Sequence, residues 1–301
     1  MTREIRFGSR ESALAIAQTR LIMDPIAKAH PELTLHLVTM KTQGDLHPEW
    51  PLEGINSPGG GKGLFTGALE QALAEGRVDL CVHSLKDMAE SQTEDLPIIG
   101  MAHRGDPRDM LLLPVQAAVS GAAPSPVGCS SLRRRLQFLA CAPGMTVSPI
   151  RGNVPTRLAK LDQGQYGALI LAAAGIHRLC IRGRPGYYFP VRTMVPAAGQ
   201  GTLAIQGRRG EDYGFLDAVL DPVTGEEALA ERTLIRALGG GCDSPAGAYA
   251  RISGSEIFII AMYAANKDAP LYKEELSGPR DRALMLADEL ARRLLQKGEG
   301  R

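Results

Sequence analysis

Two residues of this sequence combine a reactive side chain with neighbours that suit catalysis. Cys242 follows three glycines in "ALGGGCDSPAG"; glycines bend freely and keep side-chain bulk away from the sulfur, so we predict an accessible nucleophile or attachment point. Asp87 lies in "VDLCVHSLKDM" with His83 and Lys86. An aspartate among cations stays ionised, so Asp87 is suited to stabilise a developing cation or to relay a proton. Lys86 is a second candidate as a Schiff-base amine, and the simpler alternative at both positions is an exposed turn.

Arginine is concentrated in one part of the chain. Residues 101–157 contain seven arginines, no lysine and two acids, and guanidinium groups bind carboxylates and phosphates through paired hydrogen bonds. Three junctions, "GSRES", "GCSSLRRR" and "RGNVPTR", place arginine beside a Ser or Asn that can cap a helix, and a capped helix start attracts anions. We therefore predict a small ligand with several negative groups, although each arginine alone also suits a solvated helix face. The predicted binding residues are Arg10, Ser12, Ser130, Ser131, Arg133, Arg134, Arg151, Asn153 and Arg157.

The elements that must position these residues alternate between short β-rich runs and helical patterns. Strands are predicted at "EIRFGS", "LTLHLVTM", "VDLCVHS", "SPVGCSS", "TVSPIRG" and "ALILAAAG", and helices over 12–29, 64–75, 132–140 and 154–161. This alternation is typical of parallel strands with crossover helices, an α/β architecture in which ligands bind at the carboxyl ends of the strands. In the helix over 132–140, Leu132, Leu136 and Leu139 are the expected core stripe, with Arg135 near its edge.

The last third of the chain has a different pattern. "PAAGQGTLAI" predicts a Gly-rich turn with Gln200 at its tip, and it is not a dinucleotide fingerprint. After Asp221, a helix over 225–238 precedes three β runs, "AGAYARIS", "EIFIIAMYA" and "PLYKEEL", and a charged amphipathic helix ending near Gln296. We expect a small antiparallel sheet backed by helices, with Cys242 on the loop that enters its first strand.

Composition excludes several classes of protein. The 301 residues are 44% hydrophobic and carry a net charge of +1, which is too balanced for a generic nucleic-acid binder. No signal peptide and no membrane-spanning run is apparent. The five cysteines lack metal-ligand spacing, so disulfides, structural zinc and other bound metals are not expected. We expect a globular, cytoplasmic protein.

Taken in order, these segments resemble the porphobilinogen deaminases, also called hydroxymethylbilane synthases, from Arg6 to about Leu295. Any one motif is weak evidence, but a run of nine in sequence is specific. The motifs are "GSRES", "GGKGLF", "HSLKD", "DPRDMLL", "GCSSLRRR", "RGNVPTRL", "LDQGQYGALILAAAG", "PAAGQG" and "GGGC".

The resemblance implies an activity and a role for each motif. The enzyme would be a transferase of tetrapyrrole (haem) biosynthesis that adds four porphobilinogen units, with loss of ammonia, to a dipyrromethane cofactor bound through a thioether to Cys242. Linear hydroxymethylbilane is then released by hydrolysis. Asp87 would be the catalytic carboxylate, and Lys86 a carboxylate-binding cation rather than a Schiff base. The remaining implied cofactor- and substrate-binding residues are Ser130, Ser131, Arg133, Arg134, Arg10, Ser12, Lys62, Arg151, Asn153, Arg157 and Gln200.

The resemblance also implies the architecture. Two α/β domains like those of periplasmic binding proteins would be joined to a third, small α+β domain with a three-stranded antiparallel sheet. Residues 1–103 with 196–221 would form the first domain, 104–195 the second, and 222–301 the third, which carries the cofactor cysteine. The family further implies a monomer, with residues 42–61 as a mobile lid.

Three positions depart from the family pattern, and two other functions remain in view. Pro58 lies where many members have a second lysine, Cys129 replaces the usual threonine, and Asp243 adds a negative charge beside the implied thioether. A non-catalytic two-lobe binding protein for a polyanionic metabolite would explain the arginines, but neither Cys242 nor Asp87. A cysteine-dependent acyl hydrolase using Cys242 and His83 is disfavoured, because the histidine lacks an apparent orienting partner.

Overall fold

The computed structural model describes residues 3–42, 44, 66–89, 93–115, 125–239 and 245–299. The chain forms two compact units, Met1–Gly105 with Thr202–Glu226, and Asp106–Gly201 with Glu227–Arg301. Among the described residues, no helix is both long enough and apolar enough to cross a membrane.

The strands and helices follow the alternation expected from the sequence. The strands are β1 (Arg3–Arg10), β2 (Leu33–Met40), β3 (Leu80–Ser84), β4 (Ile98–Met101), β5 (Asp109–Leu112), β6 (Val127–Gly128), β7 (Val147–Ser148), β8 (Ala168–Ala172), β9 (Gly186–Tyr188), β10 (Leu203–Gly207), β11 (Ala246–Ser253), β12 (Glu256–Tyr263) and β13 (Tyr272–Pro279). The helices are α1 (Ala13–Ala29), α2 (Gly67–Ala74), α3 (Leu132–Cys141), α4 (Val154–Asp162), α5 (Ala173–Arg178), α6 (Pro222–Ala237) and α7 (Ala283–Gly298).

The sheet of the first unit has the order β2-β1-β3-β10-β4. Helix α1 buries Ile22 and Ile26, one turn apart, in a core with Phe7 of β1, as expected for an amphipathic helix. Helix α2 contributes Leu69 and Leu73 to a separate core that includes Cys81 of β3. Because Phe7 and Cys81 belong to different cores, both faces of the sheet are covered.

The sheet of the second unit has the order β7-β6-β8-β5-β9. Strand β6 pairs in parallel with β7 and β8, and in the first unit β1 pairs in parallel with β2 and β3. Strands β5 and β10, which the sequence analysis did not predict, run antiparallel to their neighbours. Neither strand is joined to a sheet neighbour by the crossover helix that a parallel pair requires.

The second unit also contains the predicted three-stranded antiparallel sheet, in the order β11-β12-β13. Helix α7 buries Leu286, Leu290 and Leu294 at helical spacing. The outer N–H groups of edge strand β11 are not left to water: those of Ala250 and Ile252 donate to glutamates of α6. The described residues thus confirm the expected fold class, α/β with a small antiparallel α+β part.

The buried face of α3 is not the predicted leucine stripe. Arg133, Arg134, Gln137 and Phe138 are buried, whereas the three leucines at 132, 136 and 139 are half-buried and Arg135 is exposed. Periodicity failed here because it treats arginine as a surface residue, while tertiary contacts compensate these two guanidinium groups inside the protein.

Candidate functional site

In the first unit, four predicted site residues lie at the carboxyl ends of two adjacent parallel strands. Gly8 of β1 pairs with Cys81 of β3, so both strands end at the same edge of the sheet. The last residue of β1 is Arg10, and the short 3-10 helix Leu85–Asp87 follows β3 directly. The predicted cap is confirmed, since Ser12 caps α1 by accepting from the N–H of Ala15 at 3.3 Å.

The 3-10 helix that carries Lys86 and Asp87 is anchored on both sides. Leu85 is fully buried, and its N–H donates to the carbonyl of Thr202 at 3.1 Å. Just before it, the hydroxyl of Ser84 accepts from the Gln18 amide of α1 at 2.9 Å. With these contacts in place, Asp87 is exposed and Lys86 is half-buried.

His83 lies next to this anchored turn but is inside the protein. Burial lowers the pKa of His83 to about 4, the charge of Arg10 adds to that effect, and a contact with Gln206 opposes it. Its Nε2 has no hydrogen-bond partner among the described residues. The imidazole is therefore neutral near pH 7.

In the second unit, the other predicted arginines follow β6 and β7, which are parallel neighbours. Ser131 caps α3 and Asn153 caps α4, which confirms both predicted caps. Arg151 and Arg157 are half-buried. The two junctions therefore bring their arginines to one edge of this sheet, where α/β proteins bind ligands.

Arg133 and Arg134 share a single buried carboxylate, that of Asp109. Arg133 Nη1 lies 2.8 Å from Asp109 Oδ2, and Arg134 Nη2 lies 2.8 Å from Oδ1. Burial alone would raise the pKa of Asp109, but the two guanidinium groups outweigh it and hold that pKa far below its ordinary value. A single carboxylate therefore pairs with two guanidinium groups.

The side chains of Gln200 and Ser130 form hydrogen bonds to other groups of the protein. The Gln200 side chain is buried; its amide donates to Asp109 Oδ1 at 2.8 Å and to the Pro107 carbonyl at 2.7 Å. The Ser130 hydroxyl donates to the carbonyl of Ile150 and accepts from its N–H. Each residue therefore supports an arginine-bearing element through these bonds.

One cation was not singled out by the sequence analysis. Arg178, the last residue of α5, is half-buried, and desolvation lowers its pKa to about 10. Its guanidinium donates to the carbonyl of Gly201, and no carboxylate of the described residues pairs with it. A desolvated charge without a carboxylate partner is costly, so Arg178 is a candidate anion-binding residue. The available signal was a cation at the end of the short helix that follows β8.

Several predicted positions lie outside the described residues, namely Lys62, Cys242, Pro58 and Asp243. Cys129 is buried, its thiol donates to the carbonyl of Ser131 at 3.5 Å, and burial raises its pKa, so it is a poor nucleophile. The part of the chain that is described contains no group of three His, Cys, Asp or Glu side chains arranged to hold a metal ion.

The fold and these sites define a mixed α/β protein with cationic groups at the carboxyl ends of its strands. Two family models match: "Porphobilinogen deaminase, dipyromethane cofactor binding domain" over residues 5–214, and "Porphobilinogen deaminase, C-terminal domain" over residues 226–296. The chain belongs to the porphobilinogen deaminase family, which confirms the resemblance drawn from the motifs.

Relatives match over nearly the whole chain. A porphobilinogen deaminase of Ruminiclostridium josui is 45% identical over 292 residues, 97% of this chain and 98% of the relative. One of Acetivibrio thermocellus is 43% identical over 296 residues, 97% of this chain and 98% of the relative. Among solved structures, the periplasmic aliphatic sulphonate binding protein SsuA of Escherichia coli is 15% identical, with a TM-score of 0.41 over 79% of this chain and 71% of that chain. So low a score does not establish a shared fold, and the α/β class rests on the sheets described above.

Proposed function

We propose that the chain is a hydroxymethylbilane synthase, a transferase of tetrapyrrole biosynthesis. It joins four porphobilinogen molecules with loss of ammonia, and linear hydroxymethylbilane is released by hydrolysis. The observation that carries this assignment is the family match, which covers residues 5–214 and 226–296. A non-catalytic binding protein is not favoured, because the relatives matched over nearly full length are named as deaminases.

The residues present fit a dipyrromethane cofactor whose rings carry carboxylate side chains. Arg133 and Arg134 share the single carboxylate of Asp109, and Arg178 is a half-buried cation without a carboxylate partner among the described residues. Paired carboxylates would satisfy both. The cofactor, when bound, supplies the pyrrole carbon to which the first substrate is joined. We propose Cys242 as its thioether anchor, because glycines precede that residue.

The position of Asp87 supports its proposed catalytic role. Its exposed carboxylate sits on an anchored turn at the carboxyl ends of β1 and β3. There it can accept a hydrogen bond from the pyrrole N–H of porphobilinogen and stabilise the cation left when ammonia departs. Lys86 lies beside it to hold a substrate carboxylate.

The remaining predicted residues divide into two groups. Ser130 and Gln200 act through Ile150 and Asp109, to which their side chains are bonded. The others bind carboxylates directly through charged groups, hydroxyls or capped helix starts. That second group contains Arg10, Ser12, Lys62, Lys86, Ser131, Arg133, Arg134, Arg151, Asn153, Arg157 and, newly, Arg178.

The proposal also includes the domain boundaries, the oligomeric state and the cellular location. We propose three domains, 1–103 with 196–221, 104–195, and 222–301, in a cytoplasmic monomer that binds no nucleic acid. The unit formed by Asp106–Gly201 with Glu227–Arg301 contains both a five-stranded and a three-stranded sheet, which supports two domains within it.

The test is turnover of porphobilinogen by the purified protein. We expect ammonia and hydroxymethylbilane from the wild type, and a fall in kcat of at least about 100-fold in Asp87→Asn, because a positioned charge at a developing cation is worth about that much. The control is Asp24→Asn, which changes an exposed aspartate on α1. Binding of porphobilinogen without release of ammonia would support the binding-protein alternative instead.

A further inference from the structure

The loop between β7 and α4, residues 149–152, is held in an unusual way. We call it the Arg151 loop. Each of its four successive carbonyl oxygens accepts a hydrogen bond from a side chain outside the loop. The pairs are Tyr166 Oη to Pro149 O at 2.7 Å, Ser130 Oγ to Ile150 O, Lys160 Nζ to Arg151 O at 3.1 Å, and Arg157 Nε to Gly152 O at 2.7 Å.

This arrangement fixes a segment that surface loops normally leave to water. Two of the four donors, Lys160 and Arg157, are cations, and charge-assisted hydrogen bonds are stronger than neutral ones. The Ile150 side chain is 1% exposed and packs in the core of the unit, while its N–H donates to Ser130 Oγ at 3.1 Å. The loop is therefore bound at every residue, and Arg151 projects from a rigid backbone.

The same contacts connect the Arg151 loop to the junction that carries Arg133 and Arg134. Ser130 lies between β6 and α3, so its bonds to Ile150 join the two junctions directly. The Tyr166 ring packs closely against Gly128 of β6. A Cβ atom added to Gly128 would lie 2.9 Å from Cδ1 of Tyr166. Ser130 and Tyr166 thus each link the two junctions. These links fix the spacing between Arg151 and the pair formed by Arg133 and Arg134.

The hydrogen bonds to the Arg151 loop also reduce the repulsion between its carbonyl oxygens and a bound anion. Carbonyl oxygens carry partial negative charge and would repel a carboxylate held by Arg151. The carbonyls of Arg151 and Gly152 accept hydrogen bonds from cationic side chains, whose positive charge offsets that repulsion.

We propose that Tyr166, Lys160 and Ser130 are positioning residues, which hold Arg151 where it meets a substrate carboxylate in register with Arg133 and Arg134. The inference rests on the proposed function, in which Arg151 binds such a carboxylate. Positioning matters because a binding group displaced by about 1 Å can cost a reaction on the order of 100-fold.

The first test removes single hydrogen bonds. Tyr166→Phe deletes only the hydroxyl, and Lys160→Met removes the ammonium but keeps a flexible apolar side chain. Each should lower kcat/KM for porphobilinogen about three- to tenfold, the loss expected for one hydrogen bond. Lys160→Arg keeps a donor and should restore at least half of the wild-type value. The matched controls, Tyr187→Phe and Lys267→Met, change exposed residues and should stay within about twofold of wild type.

A double-mutant cycle then separates positioning from general stability. In an Arg151→Gln background, Tyr166→Phe should cost less than about twofold, because the group it positions is gone. The positioning role would be overturned if Tyr166→Phe caused the same loss in the Arg151→Gln background as in the wild type. It would also be overturned if Tyr166→Phe and Lys160→Met both kept wild-type kinetics. In either case the wild type would still convert porphobilinogen. A wild type that fails to convert porphobilinogen would overturn the proposed function first, and this inference with it.

Discussion

Asp109 Oδ2 lies 2.8 Å from Nη1 of Arg133, in an ion pair whose side chains are 0% and 5% exposed. Arg134 occupies the other oxygen of the same carboxylate, and Gln200 donates to it as well. This geometry explains why α3 turns two arginines inward, because their charges are compensated inside the unit.

Asp109→Asn should destabilise the protein by about 3–5 kcal/mol, because it leaves two buried guanidinium groups without an anion. Urea unfolding at pH 7 measures the change. The matched control is Asp106→Asn, whose partner Arg108 is 43% exposed; that variant should lose less than about 1 kcal/mol. Equal stabilities of the two variants would show that the buried cluster does not depend on its carboxylate.

His83 predicts a pH dependence of stability. The folded-state pKa of about 4 lies below the ordinary value of about 6.5, so between these pH values only the unfolded chain takes up the proton. Stability should therefore fall as the pH decreases through this window, by up to about 1.4 kcal/mol per pH unit.

His83→Gln removes that contribution and serves as the comparison. Between pH 7 and pH 5 the free energy of unfolding should fall by about 2 kcal/mol more in the wild type than in the variant. Taking the difference between the two proteins cancels the pH dependence that their carboxylates share. Parallel curves for the two proteins would mean that His83 titrates alike in the folded and unfolded states.

Arg178→Met should separate stability from activity. Removing a half-buried charge that lacks a carboxylate partner among the described residues should leave the cofactor-free protein as stable as the wild type or about 1 kcal/mol more stable. Activity should fall at least about tenfold, because the proposed contact with a ligand carboxylate would be lost. Arg182→Met, at an exposed position, is the control for both measurements. A variant that is destabilised yet fully active would show that Arg178 is structural.

Local patterns predicted the elements that depend on neighbouring residues. Ser12 caps α1, as expected because a serine followed by a helical pattern is a local cap signal, and "AGAYARIS" became β11 with the expected bounds. β10 was missed because its five residues follow a glycine-rich turn and carry no periodic signal of their own.

The failures at the candidate site have one physical cause. Whether Arg133 is buried depends on Asp109, which is 24 residues away in the chain, and whether Gln200 is buried depends on that same carboxylate. Arg178 likewise looks like a helix-end cation until its surroundings are known. Sequence indicated which junctions carry charge, but compensation between distant side chains is a tertiary property.

The most direct test of the account is the intact mass of the purified wild type beside that of Cys242→Ser, with an Ehrlich aldehyde colour reaction on both. The wild type should carry the added mass of one dipyrromethane and give the colour, whereas Cys242→Ser should have the bare polypeptide mass and remain colourless. A wild type that turns over porphobilinogen with an unmodified mass, or a serine variant that keeps the covalent group, would contradict the assignment of Cys242 as the anchor.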